Sequence, residues 1–99
     1  MTVANSSTAS SIQYQLLYHR SFLQDLQKLQ KRDKSCYEKI YHFVFTEFLS
    51  LKRLEDLPHL HRLGRERMFY HFTIEENLIA IAVMGQIVKF IRILPKPKI

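Results

Sequence analysis

The last third of the chain constrains the fold most. Met68–Ile74, Leu78–Met84 and Ile87–Leu94 are three runs of strand-forming residues, separated by Glu75-Glu76-Asn77 and by Gly85-Gln86. Both separators are short and turn-forming, so successive runs are expected to pair antiparallel as a three-stranded meander. The second and third runs are almost continuously apolar, as for central strands covered on both sides or set against an aromatic layer. Pro95 and Pro97 end the sheet, because proline brings no N–H to a ladder.

The segments before the meander read differently. Gln13–His19 places Tyr14, Leu16 and Tyr18 on one face and Gln13, Gln15 and His19 mostly on the other, the alternation of a half-buried strand. Ser21 is the expected cap of a helix running to about Lys31, with Phe22, Leu26 and Leu29 on one stripe. A polar break, 31–34, leads to Ser35 and Glu38 at capping-box spacing, opening a second helix from about Ser35 to Leu51. Ile40, Phe43, Val44, Phe48 and Leu51 mark its repeat, and Tyr37, Tyr41 and Phe45 widen its apolar surface. Two helices with so short a break pack as a hairpin. Lys52–Leu63 is expected to be a loop with a short extended piece, closed by Gly64.

The resulting order is β-α-α-β-β-β. It predicts an α+β fold, a helical hairpin packed on one face of an antiparallel sheet, leaving the other face open. One domain over 12–99 is expected, preceded by a flexible Ser/Thr-rich tail over 1–11. At 99 residues, with seven Phe and five Tyr, the chain carries enough aromatic bulk for one real core.

Composition narrows the function classes. Fifteen Lys and Arg against nine Asp and Glu leave a net charge of +6. A polyanion is the natural partner: nucleic acid, the ribosome, acidic lipid or an acidic protein. A merely solvated basic surface is the plainer alternative. Cys36 is the sole cysteine, so no disulfide forms within these residues, and no base near it suggests a catalytic thiol. No apolar run approaches the ~20 residues that span a bilayer. The first segment lacks the basic start and apolar centre of a signal peptide, so a cytoplasmic location is expected. No nucleotide or other cofactor motif occurs.

Cutting RNA through its 2′-hydroxyl requires a base, an acid and a cation for the charge that develops at phosphorus. Histidine suits the proton roles, and Arg or Lys the charge role. Alternation turns His71 away from the core with Thr73, which makes it the leading catalytic candidate, set against an ordinary solvent-facing histidine. Arg67 just before the meander and Lys96 just after it belong to the basic groups that flank it and are of the type the charge role needs. His59 and His61 share a face if their segment is extended. That spacing can seed a metal site, but no cysteine or carboxylate set completes it, so no metal is expected. Phosphate contact is the remaining functional role for this pair. Lys52, Arg53, Arg62 and Arg65 gather before the meander, and Lys98 follows it. A rim built from them would grip phosphates with strong salt dependence. Lys89 and Arg92 are oddly spaced, so in a regular strand only one of them faces the open side.

The segment FYHFTIEENLIAIAVMGQIVKFIRILPKPK and the helix opening HRSFLQDLQKL together resemble the RelE/ParE family of bacterial toxins. The family's first Tyr-Arg pair corresponds to Tyr70-His71, its second to Asn77-Leu78, and its terminal basic cluster to Lys96 with Lys98. The likeness covers about Gln13 to Lys98. It implies the toxin of a toxin–antitoxin system, with an acidic antitoxin as partner and ribosome-bound mRNA as target. Leu78 departs from that pattern because it cannot bind phosphate. One alternative register puts Arg67 in the second arginine's place. Two readings therefore stand: a ribosome-dependent endoribonuclease, or a non-catalytic ParE-like or degenerate toxin acting only through protein binding. A plain RNA-binding domain is a third, without the aromatic signature of the common modules.

Overall fold

A computed structural model describes residues 14–62, 64 and 68–96. The expected tail over 1–11 lies outside them. The elements are β1 (Gln15–Tyr18), α1 (Arg20–Arg32), α2 (Lys34–Phe45), 3-10 turns at Glu47–Ser50 and Leu54–Asp56, β2 (His61–Arg62), β3 (Phe69–Ile74), β4 (Asn77–Met84) and β5 (Ile87–Pro95). They form the α+β fold expected, two helices on one sheet. The meander lies where the turn residues put it. Gly85 takes a positive φ of 62° in the second turn, and Glu75 adopts 56° in the first.

The sheet has five strands in the order β1-β5-β4-β3-β2. It is mixed rather than wholly antiparallel, because β1 runs parallel to β5, pairing Gln15 with Ile87 and Tyr18 with Phe90. The direction of β1 follows from α1. His19 is the only residue between them, and α1 continues along the same edge of β5 that β1 has just paired. The hydroxyl of Ser21 donates to the Ile91 carbonyl at 2.7 Å. One turn later, Asp25 accepts from Ile93 N–H at 2.9 Å and from Arg92 Nε at 2.7 Å. The helix thus satisfies backbone groups that a longer β1 would have paired.

The helix ends differ from the sequence expectation in an instructive way. His19, not Ser21, caps α1, its Nδ1 accepting from Ser21 N–H, while the Ser21 hydroxyl is turned to the sheet. Asp33, not Ser35, caps α2, its carboxylate accepting from Cys36 N–H at 3.1 Å. The carboxylate also suits the positive end of the helix dipole. The second helix stops at Phe45, short of Leu51, and a tighter 3-10 turn follows. That turn brings Phe48 fully into the core.

Core-facing positions alternate along every strand: Leu16 and Tyr18, then Tyr70, Phe72 and Ile74, then Ile79, Ile81 and Val83, then Val88, Phe90 and Ile93. Phe22, Phe48, Phe72 and Phe90 are completely buried. Phe90 stands at the centre, with ring centroids 5.1 Å from Phe48, 5.4 Å from Phe22 and 5.4 Å from Tyr18. Cys36 is buried and takes a hydrogen bond from the Asn77 side-chain amide at 3.0 Å. Burial, and then the charges of Asp33 and Glu75, push its thiol pKa up. These features suit a structural thiol rather than a nucleophile.

A β-bulge in β5 shifts the register so that Ala80 pairs with Arg92 and Ile81 with Phe90, leaving Ile91 as the extra residue. Buried positions therefore move from even numbers (Val88, Phe90) to odd (Ile93). The odd spacing of Lys89 and Arg92 no longer separates them, and both stand off the core side.

Two stability results are expected. Phe90→Ala costs about 3–5 kcal/mol in chemical denaturation, the range for truncating a buried aromatic ring. Asp25→Ala destabilises more than Arg92→Ala, because only the first leaves Ile93 N–H without an acceptor. Equal effects of the two substitutions would argue that the ion pair, and not the backbone cap, matters.

Candidate active site

The uncovered face of the sheet is built from the remaining alternate residues: Leu17 on β1, Phe69, His71 and Thr73 on β3, Leu78, Ala80, Ala82 and Met84 on β4, and Ile87, Lys89 and Leu94 on β5. Leu17, Met84 and Leu94 remain 39%, 42% and 37% exposed. A basic rim was expected around the meander, with the sheet face beside it open. That face is mainly apolar, because both sides of β4 carry apolar residues, and its polar groups sit at particular places.

The most distinctive of these places is a histidine pair. β2 lies antiparallel to β3 with His61 directly opposite His71. The ring centroids are 5.7 Å apart and the planes inclined by 41°. Ala80 is the neighbour of His71 on the other side. Ala80 is itself buried, and Arg92, next in the same row, is drawn toward Asp25 at the sheet edge. His61 is exposed and His71 half-buried. Burial, and secondarily the charge of His61, pushes the His71 pKa below its ordinary 6.5. Among the described residues, Nδ1 of His71 is the one buried side-chain polar atom without a hydrogen-bond partner.

The sequence paired the wrong histidines. Residues 58 and 59 form a turn with His59 at φ 54°, so His59 and His61 do not share an extended face. The Pro58 carbonyl accepts from Thr73 N–H at 3.1 Å, and this anchors the turn and delivers His61 to His71. The missed signal was the short extended piece before Gly64, for which the sequence offered no register.

The other expected site residues are dispersed. Arg62 lies opposite Tyr70 and hence in the core-side phase, although exposed. Lys52 and Arg53 are exposed in the connection after α2, and Arg53 sits 3.7 Å from Glu55 in a solvated pair worth little. Lys96 follows the end of β5, its N–H donating to the Glu76 carbonyl. By strand spacing, its backbone is roughly 15 Å from that of His71. Arg65, Arg67 and Lys98 lie outside the described residues. Lys89, opposite Ala82, is a cation on the same face as the histidine pair.

Among the described residues no three His, Cys, Asp or Glu side chains converge as a metal cluster, and no helix is long and apolar enough to cross a membrane.

No family model matches the chain, and no curated protein matches it. Solved structures do share its architecture. A chain of the Escherichia coli DinJ–YafQ toxin–antitoxin complex gives a TM-score of 0.61 at 18% identity, covering 85% of this chain and 93% of that one. One from the toxin–antitoxin complex RelBE2 of Mycobacterium tuberculosis gives 0.64 at 17%, covering 86% and 100%. The YoeB dimer of Staphylococcus aureus gives 0.62 at 16%, covering 88% and 99%. The fold is that of the RelE-type toxins. Resemblance on loose motifs and architecture therefore agree, and at these identities the chemistry has to be argued from the residues.

The depressed His71 pKa makes a stability prediction. Between that pKa and 6.5 the unfolded chain binds more protons than the folded one, so folding is favoured above 6.5 and loses free energy as pH falls through this window. Denaturation midpoints measured from pH 7.5 to 5 are expected to fall less steeply for His71→Gln than for the parent. Parallel curves would mean that His71 is not held in its neutral form.

Proposed function

We propose that the chain is the toxin of a toxin–antitoxin pair that blocks translation by cutting mRNA at the ribosome, with His61 and His71 as the proton-transfer groups. The observation that carries this reading is the pair itself: two imidazoles face each other on the uncovered sheet face, and their surroundings differ. His71, kept neutral by burial and by its neighbour, suits the base that takes the 2′-hydroxyl proton. His61, exposed, suits the acid that returns a proton to the departing 5′-oxygen. The 2′-oxygen attacks phosphorus, the bond to the 5′-oxygen breaks, and a 2′,3′-cyclic phosphate remains. Lys89 is a cation on the same face for holding the RNA backbone, and the +6 chain favours a polyanion at long range. An acidic antitoxin is the complementary partner, and the cytoplasm, where ribosomes are, is the place of action. The neighbours crystallised as toxin–antitoxin complexes support the partner class.

A second reading draws on the apolar residues of the same face. Leu17, Leu78, Met84 and Leu94 suit contact with a protein better than contact with phosphate. On this reading the chain is a toxin that acts, or is neutralised, purely through protein binding.

One experiment separates the two. Induced expression should arrest growth, and purified protein should cut mRNA on programmed ribosomes. His71→Gln and His61→Gln should each lower cleavage about 100-fold or more, the usual contribution of a positioned acid or base. Growth arrest that survives in the double variant would select the protein-binding reading. Absence of both arrest and cleavage would end the toxin proposal.

A further inference from the structure

We infer that His61 and His71 also form a two-imidazole binding site for a borderline transition-metal dication such as Zn2+, with water completing the coordination. The inference is separate from whether the chain cuts RNA. Four features of the pair support it.

The first is preorganisation. Strand register sets the rings opposite each other, pairing His61 with His71 and Arg62 with Tyr70, and the turn anchored by the Pro58 carbonyl on Thr73 N–H holds β2 in that register. The second is distance. A Zn–N bond of about 2.0–2.1 Å puts each ring centre roughly 3.2 Å from the ion, so two such rings at tetrahedral to trigonal angles stand about 5.2–5.5 Å apart. The observed 5.7 Å lies within a small side-chain rotation of that range. The exposed His61 is free to make this rotation, being on a two-residue edge strand.

The third is an unpartnered nitrogen on His71. Its Nδ1 is buried and has no partner, and a cation held between the rings supplies one. The fourth is selectivity. Among the described residues no carboxylate joins the two imidazole nitrogens, and such a donor pair suits a borderline dication better than calcium or magnesium, which favour oxygen ligands. Ala80, the cross-strand neighbour of His71, brings no competing charge, and Arg92 is held by Asp25 at the edge of the sheet.

The ligand spacing is across strands, so no sequence pattern announces it. An occupied site takes both imidazoles out of proton transfer. Wherever cleavage is observed, Zn2+ should inhibit it and a chelator should restore it.

The test is calorimetric titration of the untagged chain with Zn2+ at pH 7.5, with long-range 15N correlation spectra of the five imidazoles. One saturable equivalent is expected, with the side-chain signals of His61 and His71 shifting together and those of His19, His42 and His59 unmoved. The spectra also identify which nitrogen of each ring binds. His61→Gln, at an exposed position, should fold normally and weaken binding at least tenfold, and His71→Gln should do the same. Binding that persists in His61→Gln, that follows His59 instead, or that never saturates would overturn the site. None of these outcomes depends on ribosomes or RNA, so loss of the nuclease reading and loss of the metal site are read separately.

Discussion

The fold depends on the packing around Phe90. Its ring meets Phe22 from α1, Phe48 from the 3-10 turn and Tyr18 from β1, so every layer of the domain converges on a single side chain of a central strand. Each neighbour reaches it by a different local device. A one-residue link from β1 sets Phe22, the tightening of the chain after Phe45 sets Phe48, and parallel pairing sets Tyr18. Burial of aromatic area dominates the energetics of so small a core, and these devices serve to bring the rings together.

That dependence explains what the sequence revealed. The meander was legible because alternation and short turns are local, and the helices because their apolar stripes are wide. Both caps were misassigned by two residues. Ser21 and Ser35 have good capping chemistry, but Ser21 is engaged by the Ile91 carbonyl and Asp33 is better placed for Cys36 N–H. Parallel pairing of β1 was not legible, since it joins segments about 72 residues apart, and the extra residue at Ile91 was not, since an apolar run does not show where its ladder slips.

The candidate site was half visible for the same reason. Alternation alone placed His71 on the outer face. Its companion was assigned to His59, because adjacent spacing is what a sequence displays, whereas the real association is set by the turn at Pro58 and His59. The expected ring of cations gave way to an apolar face with a localised polar spot. The outward residues of β4 show why. Leu78, Ala80, Ala82 and Met84 fitted a strand covered on both sides or set against an aromatic layer, and on the side away from the helices Ala80 and Ala82 are buried while Met84 is exposed.

The placement of Ser21 and Asp25 against β5 has a consequence for how the chain behaves in a crowded solution. β1 is only four residues long, so without α1 the last part of β5 would present bare amides and carbonyls beside apolar side chains. Such a margin is a template for another polypeptide to join, and repeated joining leads to fibrous aggregates. By occupying these groups with its own side chains, α1 acts as a surrogate strand that has no outward-facing ladder to offer. A basic, aromatic-rich chain is in this way kept from sticking to its own copies, at a stretch where sequence alone would suggest a vulnerable edge.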